Sequence, residues 1–140
     1  MMLDTQKFQG LHKRYNQVFF DNQLPEVVIV APDEIIKNGE MTIDELEKIE
    51  GAFSRDDETG MDYILLNPHR ESPELTLLHE MIHQYCVHNE LIEDDPHGSL
   101  FLEAARQHGL SETIPSYDSD FEMFDETRHE DFSKCGIKLI

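Results

Sequence analysis

The chain has 140 residues, enough for one hydrophobic core and too few for two ordinary domains. At 39% hydrophobic residues the composition is globular and excludes a disordered chain. With 11 Lys+Arg against 30 Asp+Glu the net charge is −19, which argues against a nucleic-acid binder, since such proteins present a basic face to phosphate.

The acid suits a solvated surface, with a basic partner or nucleic-acid mimicry as the alternatives. No apolar run is long enough to cross a bilayer, and "MMLDTQKFQG" lacks the apolar core of a signal peptide. The two cysteines, Cys86 and Cys135, are too few for a disulfide framework. A cytoplasmic protein without membrane contact is expected.

Residues 4–21 predict an amphipathic helix, with Phe8, Leu11, Tyr15 and Val18 at helical spacing. Pro25 breaks it, and the β-branched run "EVVIVA" (26–31) predicts a strand. "PDEIIKNG" reads as a loop ending in an Asn38-Gly39 turn. Thr42 with Glu45 three residues on makes a capping box for a short helix. "GAFSR" and "DYILLN" predict two strands joined by a polar hairpin loop.

Ser72 and Pro73 suit the N-cap and first position of a helix over about 73–90. Leu75, Leu78, Ile82 and Tyr85 share one face, while Leu77 and Met81 lie on another, so this helix is expected to be largely buried. "EDDPHG" interrupts it. "SLFLEAARQH" predicts a further helix, closed by Gly109. The acidic segment 110–140, punctuated by Ile114, Tyr117, Phe121, Phe124 and Phe132, is expected to pack back on the body.

The buried helix contains "LLHEMIHQY", an H-E-x-x-H pattern at His79, Glu80 and His83. At 3.6 residues per turn the two histidines stand about 40° apart, stacked on one face and able to share one ion. Glu80 lies about 60° around from His83, poorly placed as a ligand and well placed as a general base. Polar residues inside an apolar helix are costly unless something satisfies them, and a metal would do so.

A catalytic zinc needs a third protein ligand. His88 lies on the far side of the helix. His97, in the break that follows, is favoured, with Gly98 easing a close approach. Glu103 on the next helix is the alternative. Cys86 is read as a core thiol, and His12, His69, His88 and His129 as surface residues.

"TLLHEMIHQY", followed shortly by "HGSLF", resembles the SprT-like metallopeptidase family, which includes the Spartan proteases. The upstream order of an N-terminal helix, "LPEVVIVA", a Gly-Ala-Phe strand and a strand ending "ILLNP" is similar too. The resemblance runs from about Phe8 to Gly109, with a weaker echo to Gly136. It implies that His79, His83 and His97 bind zinc and that Glu80 is the catalytic base. It does not extend to the metzincins, whose pattern places Gly where Cys86 stands and His where Asn89 stands.

Many family members continue into a cysteine zinc ribbon. Here "FSKCGIKLI" looks like the start of one, with Cys135 alone, so a complete ribbon is not expected. The family's link to DNA-bound proteins is not supported by the charge of this chain.

The expectation is therefore a single α+β domain over 1–140, with a core at about 8–109. It is a small zincin-like domain in which a largely antiparallel sheet of three or more strands packs on helices, and helix 73–90 carries the metal. One Zn²⁺ per chain and endopeptidase activity on a protein substrate follow. Tyr117 and His108 are candidates to stabilise the oxyanion. An edge strand, with "GAFSR" as candidate, would hold the substrate by strand addition, or serve only as an ordinary strand. The competing readings are a non-catalytic zinc-stabilised binding module, a regulatory peptidase cleaving one repressor-like partner, and an acidic decoy that works without zinc.

Overall fold

The structure, a computed structural model, describes residues 3–68, 72–95 and 97–110. In chain order the elements are α1 (Thr5–Phe19), β1 (Val27–Val30), α2 (Pro32–Lys37), α3 (Ile43–Glu47), β2 (Gly51–Arg55), β3 (Asp62–Leu66), α4 (Pro73–His88) and α5 (Ser99–Gln107). The strands form one sheet in the order β1-β3-β2. No helix among the described residues is long and apolar enough to cross a membrane.

The central strand explains the layering. All five residues of β3 are buried, and its side chains alternate between two cores. Ile64 and Leu66 join a larger cluster with Phe53 of β2, Phe8 of α1, Leu77, Met81 and Ile82 of α4, and Phe101 of α5. Tyr63 and Leu65 join a smaller one with Ile35 of α2, Leu46 of α3 and Ala52 of β2. Helices therefore cover both faces of the sheet, and a near-continuous apolar strand is what such a position requires. Each fully buried Leu or Ile contributes about 1.5–3 kcal/mol.

The sheet is mixed, not largely antiparallel. β2 and β3 pair antiparallel through the hairpin, but β1 pairs parallel with β3, Val27 opposite Asp62 and Val30 opposite Leu65. The hairpin is a local signal. The parallel pairing depends on the crossover through α2 and α3, which local pattern does not reveal. The outer edge of β1 is met by a side chain of α1: the Gln9 amide donates to the Val27 carbonyl, and its oxygen accepts from the Ile29 N–H. This leaves β2 at the other edge of the sheet.

"PDEIIK" is a helix, not a loop. Pro32 sits at the helix start, where its missing N–H costs nothing, and Asp33 and Glu34 occupy the first turn. Gly39, at φ 77°, closes a Schellman motif in which the Gly39 and Glu40 N–H groups donate to Ile36 and Ile35. Pro32 and Gly39 are the helix's own start and stop signals. The α3 capping box forms as expected: the Thr42 hydroxyl accepts from the Glu45 N–H, and the Glu45 carboxylate accepts from the Thr42 N–H.

Helix α4 ends at His88, two residues short of the expected 90, with Glu90 in the left-handed region at φ 57°. Ser72 is its N-cap but makes no side-chain cap bond. Leu75 and Val18 fall on exposed sides of their helices, outside the core that spacing assigned them.

Of the histidines expected at the surface, His12 is buried and His88 is half-buried. The Nε2 of His12, in α1, lies 2.9 Å from Gln84 Oε1. Gln84 Nε2 donates to Asp62 Oδ2 at 2.8 Å and to the Pro25 carbonyl at 3.1 Å. His88 Nε2 bonds the same Asp62 oxygen at 2.6 Å. The chain of groups ties α1, α4 and the start of β3 together through polar contacts that burial makes obligatory.

Burial holds the His12 imidazole below its usual 6.5, against the raising influence of Gln84, Asp62 and Glu26. The unfolded chain then takes up a proton that the folded one refuses. Folding stability should fall as pH drops below 6.5 toward the lower folded value. Thermal melts from about pH 8 to about pH 5 should show a shallower fall for His12→Gln than for the native chain. Equal slopes would remove His12 as a cause of acid sensitivity.

Candidate metal centre

Helix α4 carries His79, Glu80 and His83, as its spacing predicts, and all three face the packed side of the molecule. The turn after α4 brings His97 back onto them. His97 Nε2 lies 3.0 Å from His79 Nε2 and 3.1 Å from His83 Nε2. His79, His83 and His97 form a group that could hold a metal ion, their ligand atoms all within 4.8 Å of one another.

The donor chemistry fits a cation. A neutral imidazole carries one N–H, so three ring nitrogens in one small triangle bring lone pairs together that hydrogen bonding alone satisfies poorly. A tetrahedral ion with Zn–N bonds of about 2.0–2.1 Å would hold its nitrogens about 3.3 Å apart. The observed separations are close to that edge length.

Phe101, in the first turn of α5, packs against all three rings, with centroid distances of 4.8, 4.6 and 5.1 Å to His79, His83 and His97. This apolar wall holds the imidazoles in register and keeps that side of the cluster dry.

Glu80 is fully buried. Its carboxylate lies beside Gly51, the first residue of the edge strand β2. A Cβ on Gly51 would stand 2.5 Å from Thr76 Cγ2, 3.0 Å from the Leu65 carbonyl and 3.4 Å from Glu80 Oε2. Glycine at this position lets α4 approach the sheet closely and leaves space for the carboxylate. Burial, with the neighbouring charge of Glu50, raises the Glu80 pKa well above its ordinary value.

The other candidates separate clearly. Glu103 does not join the histidines. Its side chain is 60% exposed and pairs with Arg106 at 3.6 Å along the surface of α5. His88 is turned away toward Asp62. His108 Nδ1 donates to the Phe19 carbonyl at 2.8 Å, and its ring packs against Phe20 and Tyr85. Cys86 is a free, buried thiol whose pKa burial pushes up to about 11, as a core role requires. Tyr117, His69, His129, Cys135 and the expected packing of the acidic segment lie outside the described residues.

A family model described as the SprT-like family matches residues 8–120. The chain belongs to the SprT-like family. No curated protein and no solved structure matches it. Membership in the SprT-like family is consistent with a peptidase-like function, and the matched range contains all three clustered histidines and Glu80.

Two groups that matter to this SprT-like site carry weak sequence signals. Gln84 sits beside His83 and fixes the back of α4 through Asp62 and His12. Its only mark is that it is polar in an apolar helix. Glu93 reaches α5 from seven residues upstream of Leu100, a spacing that belongs to no local capping pattern.

Proposed function

We propose that this protein is a zinc-dependent endopeptidase of zincin-like architecture, with His79, His83 and His97 as ligands and Glu80 as the general base. The convergence of three imidazoles, with His97 Nε2 at 3.0 and 3.1 Å from those of His79 and His83, one helical residue from a buried carboxylate, carries the reading. A zinc ion held there supplies Lewis acidity that polarises a carbonyl and makes water nucleophilic near neutral pH.

The chain's own residues do the rest. Glu80 takes a proton from the attacking water and returns it to the leaving amine. Phe101 excludes solvent from one side of the imidazoles. Strand β2 lies at the sheet edge with Gly51 next to Glu80, so a substrate segment added along β2 would run past the base. The interior free thiol of Cys86 suits a reducing, cytoplasmic setting.

The substrate is protein, and DNA is not a partner in this reading. At a net charge of −19, contact with phosphate is repulsive over much of the surface, and few Lys or Arg are available to displace counterions. A strong chelator should abolish cleavage across a panel of unfolded proteins, and stoichiometric zinc should restore it. Added oligonucleotides should neither bind, by fluorescence anisotropy at near-physiological salt, nor accelerate cleavage. Zinc binding without cleavage of any substrate would favour a binding module. Micromolar DNA binding that weakens steeply with salt would restore a DNA-linked role.

A further inference from the structure

The turn between α4 and α5 presents His97, yet α5 starts without a capping side chain of its own, because its N-cap is Gly98. The open donors of that first turn are met from upstream. Glu93 Oε1 accepts from the Leu100 N–H at 2.7 Å, and Glu93 Oε2 accepts from the Ser99 hydroxyl at 3.3 Å. A carboxylate in this place also complements the positive end of the helix dipole.

Gly98 makes the clamp fit. A Cβ there would stand 2.5 Å from Glu93 Oε1 and 2.8 Å from its Cδ. The φ of Gly98 is −80°, open to any residue, so the glycine serves space and not conformation. Gly98 was expected to ease the return of His97 toward a metal; the group that packs against Gly98 is the Glu93 carboxylate. The same turn holds the third imidazole: the His97 N–H donates to Asp95 Oδ1 at 2.9 Å, and the Gly98 N–H to the Asp95 carbonyl at 3.0 Å.

We infer that Glu93 is a positioning residue for His97: clamping the first turn of α5, it fixes the backbone that presents His97 and the Phe101 ring behind the three imidazoles. The inference rests on reading the cluster as a metal site. Glu93 is not one of the converging groups and acts through the helix. Without the clamp, two donors of the first turn lose their acceptor, and the turn that carries His97 gains freedom that zinc binding must then remove.

The test compares Glu93→Ala, Glu93→Gln and Gly98→Ala with the native chain. Zinc affinity is read by competition with a chromophoric chelator, geometry by the visible bands of the cobalt-loaded protein, and fold by melting of the metal-free protein. Glu93→Ala should weaken zinc about tenfold or more and alter the cobalt bands. Glu93→Gln should restore most of the affinity, because its amide oxygen still accepts from the Leu100 N–H. Gly98→Ala, whose new methyl displaces the carboxylate, should imitate Glu93→Ala. A lower melting temperature with native zinc affinity and native cobalt bands would show a structural role only and overturn the inference. If Glu93→Ala does not fold, Gly98→Ala and Glu93→Gln decide alone, one required to lose affinity and the other to keep it. Native zinc affinity in a His79→Ala control would instead remove the metal site itself, and the inference with it.

Discussion

His79→Ala should abolish stoichiometric zinc, and His97→Ala should do nearly the same, while Glu103→Ala should leave binding untouched. Zinc sites of four ligands bind with about 10–16 kcal/mol, or about 2.5–4 kcal/mol per ligand. Removing one should therefore weaken binding about 100- to 1,000-fold. The two histidine variants lose one corner of a triangle two of whose sides are 3.0 and 3.1 Å. Glu103 loses only an exposed ion pair with Arg106, worth at most about 1 kcal/mol. Metal analysis after dialysis, with chelator competition for the affinities, gives the comparison. Full zinc occupancy in His79→Ala, or a loss in Glu103→Ala equal to that in His97→Ala, would sink the ligand set.

That His79 and His83 share a helical face was legible because helix periodicity is a local property, and "LLHEMIHQY" sets two imidazoles four residues apart in an apolar frame. The capping box at Thr42 and Glu45 and the β2–β3 hairpin were legible for the same reason. The capping partners lie three residues apart, and the two strands follow each other directly through one short loop.

What stayed hidden was set by distance in sequence. His12 and Gln84 are 72 residues apart, and Asp62 accepts from Gln84 and His88 across 22 and 26 residues. Nothing near His12 marks it as buried, and nothing near His88 marks its bond to Asp62. The parallel pairing of β1 with β3 is of this kind too. For "PDEIIKNG" the ambiguity is local and not long-range. Pro and Asn-Gly are breakers inside an element and boundary markers at its ends, and here six residues fit between them. Glu93 combines both difficulties, since it caps α5 from outside the helix in place of a residue that has no side chain.

Glu80→Gln should keep zinc and the fold and lose proteolysis. The substitution preserves shape and removes the proton acceptor, so the rate should fall about 10²- to 10⁴-fold, the range of general-base catalysis. Zinc affinity should be native, because Glu80 is not in the converging group of His79, His83 and His97. The melting temperature should hold or rise, since a neutral amide in a fully buried position costs less than a carboxylate. The space beside Gly51 accommodates the amide as it does the acid, the two side chains being nearly equal in size. Cleavage of a protein substrate would be followed at matched zinc occupancy, so that a lost ion cannot imitate a lost base. Native-rate cleavage by this variant would remove Glu80 from the mechanism and move the search for a base to other groups near the three histidines. A loss of rate together with a loss of zinc would instead make Glu80 part of what holds the metal, in disagreement with its place beside the edge strand.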